Sequence, residues 1–485
     1  MMILMIAVDP NAETPIYRQL FDYFTAQIAA GKLDFGERLP ATRELAGQLG
    51  LNRTTVSAAY ELLEAEGWIT GEVGRGSFVR SRPSPNPRQP LNWQDVLERK
   101  APAARTPLAS GPVISFANSR PSEHLFPLDA FRASCDAVLS SSELSSILQL
   151  GSPGGYEPLR QYLLEAARAE GVARPGDDLM IANGCQQALD LIRQVLVRPG
   201  DQIALEDPVY PGLKNLFQQS GAELAGIPVG AEGMKVEALR KLRPKLLVVT
   251  PNFQNPTGST MPAEARKALL RLPHTIVIEN DIYGDLRYEG QPQPTLKQLD
   301  ETGDVILLRS FSKIAFPGLR VGWIIAPRPL IQRLMEAKQL SDLHTDQFSQ
   351  AILLDFARSG RLEEHQRNML RAGSGRLAAV LAACERWLPG GTRYSRPQGG
   401  MNLWIELPDE LDANDLLARA QSQGAAYLPG RYFAVSRAHA NALRLSFAGL
   451  AEEQIERGVR ILGTLFSREL EAERSRDREP APAMV

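Results

Sequence analysis

Residues 310–320 read Ser-Phe-Ser-Lys-Ile-Ala-Phe-Pro-Gly-Leu-Arg. The amine of Lys313 can condense with an aldehyde. The hydroxyls of Ser310 and Ser312 and the guanidinium of Arg320 can hold a phosphate. Pyridoxal 5'-phosphate carries both groups, so this spacing suits that cofactor, with Lys313 as the covalent, catalytic residue. A second chemistry lies near the other end of the chain. Asn52, Arg53, Thr54 and Thr55 follow a glycine turn at Gly50, and Arg75 stands between Gly74 and Gly76. Cations and small hydroxyl residues at a helix start suit nucleic acid.

Elements must position these groups. Ile16, Leu20, Phe24 and Ile28 recur every four residues and predict a helix. Thr42 is a candidate cap for a second helix, with Leu45, Ala46 and Leu49 inward. Asn52 is a candidate cap for a third, with Val56, Tyr60 and Leu63 on its apolar face. The segment from Trp68 to Val79 reads as a two-stranded hairpin with a glycine-rich tip. Residues 81–112 are proline-rich and read as a semi-rigid linker holding one short helix near Trp93–Arg99. From 113 to 467, apolar runs at Gln202–Leu205, Leu246–Val249, Thr275–Ile278 and Val305–Leu308 alternate with helical stretches. That alternation predicts a mostly parallel sheet covered by helices. Residues 468–485 are charged, then Pro/Ala-rich, and are expected to be a disordered tail.

Composition narrows the function classes. The 485 residues carry 23 % charged side chains and a net charge of −2, so any surface for DNA must be local. Cys135, Cys185 and Cys384 are far apart and form no CxxC pair, which argues against a zinc site or a disulfide framework and fits a cytoplasmic protein. Met1 to Val8 is apolar but too short to span a bilayer, and it reads as a loose terminus.

Residues 39–46 (Leu-Pro-Ala-Thr-Arg-Glu-Leu-Ala), 62–69 (Leu-Leu-Glu-Ala-Glu-Gly-Trp-Ile) and the Gly-Arg-Gly-Ser-Phe-Val wing resemble the GntR-type winged helix-turn-helix, here at about 11–80. The resemblance implies a double-stranded DNA operator as partner, with Arg43, Asn52, Arg53, Thr54, Thr55 and Arg75 as DNA-binding residues. A recognition helix turns its N-terminal end into the major groove, and an arginine flanked by glycines suits the minor groove.

The rest of the chain resembles fold type I aminotransferases, and the similar segments come in that family's order. They include Gly155-Tyr156-Glu157-Pro158, Asn183-Gly184-Cys185-Gln186, Glu206-Asp207-Pro208-Val209-Tyr210, Pro251-Asn252-Phe253-Gln254-Asn255-Pro256-Thr257-Gly258 and Leu443-Arg444-Leu445-Ser446. The resemblance implies cofactor-binding roles for Gly184, Cys185 and Gln186 at a helix N-terminus, where the dipole favours phosphate. Tyr210 would stack on the ring, and Asn255 with Tyr283 would meet its 3-oxygen. Arg444 would take a substrate carboxylate. The joint architecture is similar to MocR-type regulators, a branch of the GntR family. The expected fold class is an α+β winged helix-turn-helix joined to an α/β fold type I aminotransferase-like domain, with a smaller subdomain at about 330–467. A homodimer is implied, with no membrane association and no metal.

Two positions depart from the family. A fold type I aspartate usually meets the pyridine nitrogen; thirty-three positions before Lys313 this chain has Asn280, followed by Asp281. Neighbours on a strand face opposite sides, so one of the two reaches the ring, and the spacing favours Asn280. Leu150 stands where a tyrosine often reaches the partner subunit. The reading that follows is a pyridoxal-phosphate-dependent transcriptional regulator that senses an amino acid or amine through an aldimine at Lys313. The alternative is an active aminotransferase with an appended DNA-binding module. A third reading is a DNA-bound structural protein without cofactor.

Overall fold

The four-residue apolar spacing does form the first helix, α1 (Ile16–Ala29), which buries Leu20, Phe21, Phe24 and Ile28. It packs with α2 (Thr42–Leu49) and α3 (Arg53–Ala65), which bury Leu45, Ala46, Val56, Ala59, Tyr60 and Leu63. Strands β1 (Ile69–Glu72) and β2 (Gly76–Val79) close the unit as an antiparallel hairpin, with Glu72 opposite Gly76. The computed structural model describes residues 6–72, 74–80, 91–93, 97 and 113–476. Contacts divide the chain into two units, Met1–Pro102 and Ala103–Val485. The expected linker at 81–112 and its short helix lie almost wholly outside the described residues.

Local chemistry explains the joints of the first unit. Gly50 ends α2 with φ +67°, a left-handed turn that costs glycine nothing. The Asn52 side chain accepts from the Thr54 backbone N–H at 3.2 Å and caps α3 as expected. Thr42 is not the cap of α2. It is the first helical residue, Ala41 holds the cap position, and the approach is fixed by the Tyr60 hydroxyl donating to the Pro40 carbonyl at 2.9 Å. The apolar start is not wholly loose either, since Ile6 and Val8 pack against this core.

Phe24 is the hub of that core. It is fully buried and meets Tyr23 and Tyr60 edge to face at 5.6 and 5.7 Å. Phe24→Ala is expected to cost about 3–5 kcal/mol. Denaturant melts of the full chain should then lose the first unit's transition at low denaturant while the second unit's transition keeps its midpoint.

The second unit holds an eight-stranded sheet. After the short β3 (Ile114–Ser115), its strands are β4 (Asp177–Ala182), β5 (Gln202–Asp207), β6 (Glu223–Gly230), β7 (Gly233–Met234), β8 (Leu246–Val249), β9 (Ile276–Asn280), β10 (Val305–Ser310) and β11 (Gly322–Pro327). Their spatial order is β4-β11-β10-β9-β8-β5-β6-β7. The pairs from β6 through β5, β8 and β9 to β10 are parallel, whereas β11 runs against both its neighbours. Near-continuous apolar runs such as Leu246–Val249 are buried on both faces, as a helix-covered parallel sheet requires.

A smaller sheet holds β12 (Arg393–Tyr394), β13 (Asn402–Glu406), β15 (Leu428–Pro429) and β16 (Ala442–Ser446), while β14 (Ala425–Ala426) pairs with β3. Through that pairing Phe116, fully buried, enters the core of the smaller subdomain, so the subdomain is not confined to 330–467. The first part of the expected tail at 468–485 is helical. A helix runs over Glu452–Arg476, Leu470 is buried in the core, and Glu469 pairs with Arg419 and Arg468. Residues 477–485 lie outside the described residues. Among the described residues no helix is long and apolar enough to cross a membrane.

Candidate cofactor pocket and nucleic-acid interface

Parallel strands deliver their C-terminal ends to one edge of the sheet, and ligands collect there in open α/β sheets. Strands β5, β9 and β10 each run two residues beyond the apolar stretch that marks them in the sequence, and so end on Asp207, Asn280 and Ser310. A pocket of about 430 Å³ opens at this edge. Its lining includes Thr250, Asn255, Asn280, Tyr283, Ser310, Ser312, Lys313 and Arg320, with Cys185 and Gln186 from the start of the Gly184–Leu196 helix. Tyr210 and Arg444, also expected from sequence, line it too.

The Lys313 amine donates to the Ser119 carbonyl at 2.7 Å and lies 5.7 Å from the centre of the Tyr283 ring. Ser310 caps the turn by accepting from the Ser312 N–H at 3.0 Å, and the two hydroxyls meet at 2.9 Å. Arg320 adopts the left-handed region at φ +56°, a strained conformation for this residue type, and its guanidinium lies 3.5 Å from both the Ser312 hydroxyl and the Asn183 carbonyl. Gly184 does not itself line the pocket. With φ +76°, a Cβ there would stand 2.5 Å from Arg320 Nη2, so glycine lets the guanidinium approach the helix start. Hydroxyls, an arginine and a helix N-terminus thus converge, as an anion site requires.

The opposite wall is a chain of amides and rings. Asn255 Nδ2 donates to the Tyr283 hydroxyl at 3.2 Å, and Asn255 Oδ1 accepts from Arg444 at 3.0 Å. Arg444 also donates to the Ala117 carbonyl and lies 5.1 Å from the centre of the Phe433 ring. It is 3 % exposed, and among the described residues it has no carboxylate partner. Burial lowers its guanidinium to about 10.

Asn280 and Asp281 separate as strand neighbours should. Asn280 faces the pocket and reaches the Thr250 hydroxyl at 3.4 Å. Asp281 is not a pocket residue. It turns to the other side, where it accepts from Asn252 at 2.8 Å and meets Arg309 at 3.5 Å. Of the two candidates, Asn280 is thus the one that lines the pocket, the choice the spacing favoured. Beneath Thr250, burial pushes the Glu206 carboxyl up to about 8. Ala117, Ser119 and Thr250 were missed in the sequence, which carries no motif to mark them.

The lining fits pyridoxal phosphate. Ser119 Oγ, Asn280 Oδ1 and Arg444 Nε are buried in this wall without a hydrogen-bond partner. Such orphans are costly unless a polar ligand meets them. Leu150, the second departure, is 72 % exposed, and Leu148 is 68 % exposed.

In the first unit, Arg43 is exposed at the start of α2, and Asn52, Arg53 and Thr54 are exposed at the start of α3. Thr55 is half-buried. Arg75 is exposed at the hairpin tip and pairs with Glu72 at 2.7 Å, a partner the sequence had not singled out. The arrangement presents one helix end and one wing, the two parts that a winged helix offers to DNA.

Residues 121–462 match the family described as aminotransferase class I and II, and residues 16–79 match the bacterial regulatory proteins of the gntR family. The chain is 30 % identical over 479 residues to the probable rhizopine catabolism regulatory protein MocR of Rhizobium meliloti, spanning 95 % of this chain and 96 % of that one. It is 37 % identical over 371 residues to aromatic-amino-acid aminotransferase 1 of Thermococcus litoralis, spanning 74 % and 89 %. Among solved structures, the multiple substrate aminotransferase of Thermococcus profundus aligns with a TM-score of 0.75 at 34 % identity, covering 79 % of this chain and all of that one. The gntR match at one end, the aminotransferase match over most of the remainder and the end-to-end similarity to a regulator agree: the chain belongs to the MocR-type regulators, GntR-type winged helices joined to a pyridoxal-phosphate-dependent, fold type I aminotransferase domain.

Proposed function

We propose that this regulator senses an amino compound bearing a carboxylate, and that the pocket around Lys313 is where it does so. The observation that carries this reading is Arg444, a buried cation that has no acidic partner among the described residues, in the pocket that holds Lys313. A guanidinium so placed awaits an anion, and a carboxylate matches its fork. When bound, pyridoxal phosphate supplies an aldehyde that condenses with amines and a ring that withdraws electrons. The chain's own residues do the rest. Ser310, Ser312, Arg320 and the N–H groups after Gly184 would hold the phosphate. Asn255 and Tyr283 would hold the ring oxygen, Tyr210 would cover a ring face, and Lys313 would join the cofactor covalently.

Arg43, Asn52, Arg53, Thr54, Thr55 and Arg75 would meet the operator. The exposed Leu148 and Leu150 suit burial against a second copy of this chain. A panel of amino acids and matched amines without carboxylates, titrated into cofactor-loaded protein, tests the pocket. Only carboxylate-bearing compounds are expected to change the visible spectrum. An equal response to the bare amines contradicts the role of Arg444.

Turnover is the second reading, favoured by the intact set of Lys313, Asn255, Tyr283 and Arg444. Asn280 weighs against it. A neutral carboxamide cannot stabilise a protonated ring nitrogen as a carboxylate does, which weakens the ring as an electron sink. Asn280→Asp is therefore expected to speed the amino-transfer half-reaction by about tenfold or more. Stopped-flow absorbance with one amino acid checks this, and an unchanged rate means that another step limits.

A further inference from the structure

The N-terminal ends of β8 and β9 lie at the far edge of the sheet from the Lys313 pocket, and there a second concavity of about 280 Å³ opens. Three arginines line it: Arg240, Arg243 and Arg271. All three are exposed, and among the described residues none of their side chains has a hydrogen bond or ion pair. The nearest acid in sequence to Arg271, Glu264, is held by Lys267 at 2.8 Å and feels the Arg271 charge only as a smaller influence. Lys241 stands exposed beside them, so cations gather here although the whole chain is slightly acidic.

The frame beneath these side chains is rigid. Leu239, Pro244 and Thr275 are buried, and the Thr275 hydroxyl donates to the Pro244 carbonyl at 2.9 Å. The Ile276 N–H donates to the Lys245 carbonyl at 3.0 Å, tying the two walls together. Arg243 and His274 hold left-handed backbone at φ +45° and +58°, each next to a proline. Strain at non-glycine residues persists where surrounding structure fixes a conformation, and it clusters at ligand sites. Favourable interaction with helix carbonyl ends accounts for Arg271 at the end of the Ala263–Leu270 helix and for Arg240 in the last turn of the Val236–Lys241 helix, but not for Arg243 or for the convergence of all three on one concavity.

Planar guanidiniums on a fixed frame are suited to phosphate oxygens. We propose that this pocket takes phosphates of the duplex DNA backbone, so that the large unit makes a DNA contact of its own. The inference rests on DNA binding by the winged helix. Backbone contacts are independent of sequence, so random-sequence duplex of about 60 base pairs is a sufficient probe.

The experiment compares the salt dependence of duplex affinity for the full wild-type chain and two triple variants. One is Arg240→Gln, Arg243→Gln, Arg271→Gln. The other, Arg367→Gln, Arg371→Gln, Arg386→Gln, removes the same charge from an exposed helix face elsewhere in the large unit. The slope of log K against log salt should fall by about 2–3 in the pocket variant, near 0.9 per phosphate released, and hold in the other. A pocket variant with the wild-type slope, or equal losses in both variants, overturns the inference. Loss of a phosphorus-NMR signal for bound inorganic phosphate, with the DNA slope unchanged, assigns the pocket to free phosphate and overturns it too. A wild-type chain that binds no duplex contradicts the winged-helix reading itself and removes this inference with it.

Discussion

Lys313→Ala is expected to leave DNA binding within about twofold of wild type and to abolish any change in that binding by an amino compound. The two effects separate because the residues involved lie in different units: Arg43, Arg53 and Arg75 in the first, Lys313 in the second. The side chain of Lys313 contacts only the pocket, through the Ser119 carbonyl and the Tyr283 ring. Its removal would take away the proposed covalent anchor but no core packing. Fluorescence anisotropy with a duplex selected by the protein from a random pool gives both quantities. The cofactor should still bind, held by the phosphate residues, with its visible band moved to that of the free aldehyde. An undiminished response in this variant would place the sensing chemistry elsewhere.

Arg444→Ala is expected to have the second largest effect. The guanidinium is buried, bonded to Asn255 and Ala117, and has no carboxylate partner among the described residues. A ligand carboxylate would complete it, and truncating one partner of a buried charged pair costs about 2–5 kcal/mol, roughly thirtyfold or more in affinity. The concentration of amino acid giving half the spectral change should rise by that factor. Cofactor affinity should move far less, because the proposed phosphate site is at the Gly184 and Ser312 end of the pocket. Arg444→Lys keeps the charge and loses the fork, and should fall between. Equal weakening for an amine without a carboxylate would mean that Arg444 acts by supporting Asn255 and not by binding the ligand.

Much of this architecture is legible in the sequence, and the reasons differ by element. The helices of the first unit follow from apolar spacing that burial enforces, as Leu20, Phe24 and Ile28 show. The parallel strands are legible because both faces are covered, leaving the uniform apolar runs of β8 and β10. What local pattern misses is where those strands end. Asp207, Asn280 and Ser310 are polar, so periodicity stops short of them, yet they continue the ladder as far as the site.

The alternation of a strand separates Asn280 from Asp281 once the register is known, and register is a tertiary property. Ser119 and Ala117 stand in no motif. They reach Lys313 and Arg444 only because β3 pairs with β14, some three hundred residues later in the chain. Thr42 and the start of the tail were misjudged for a related reason. A tyrosine hydroxyl fixes the entry to α2, and the buried Leu470 carries the last helix into its charged stretch as far as Arg476.

Regulation by this protein requires one coupling, between the pocket and DNA. Its most direct test is the affinity of the cofactor-loaded wild-type chain for its selected duplex, with and without an amino acid that changes the visible spectrum. A regulator that senses through this pocket should shift that affinity by about 5- to 150-fold, the span of a coupling free energy of about 1–3 kcal/mol. An affinity that stays fixed while the amino acid saturates the pocket would contradict the account and leave an enzyme that happens to carry a DNA-binding unit.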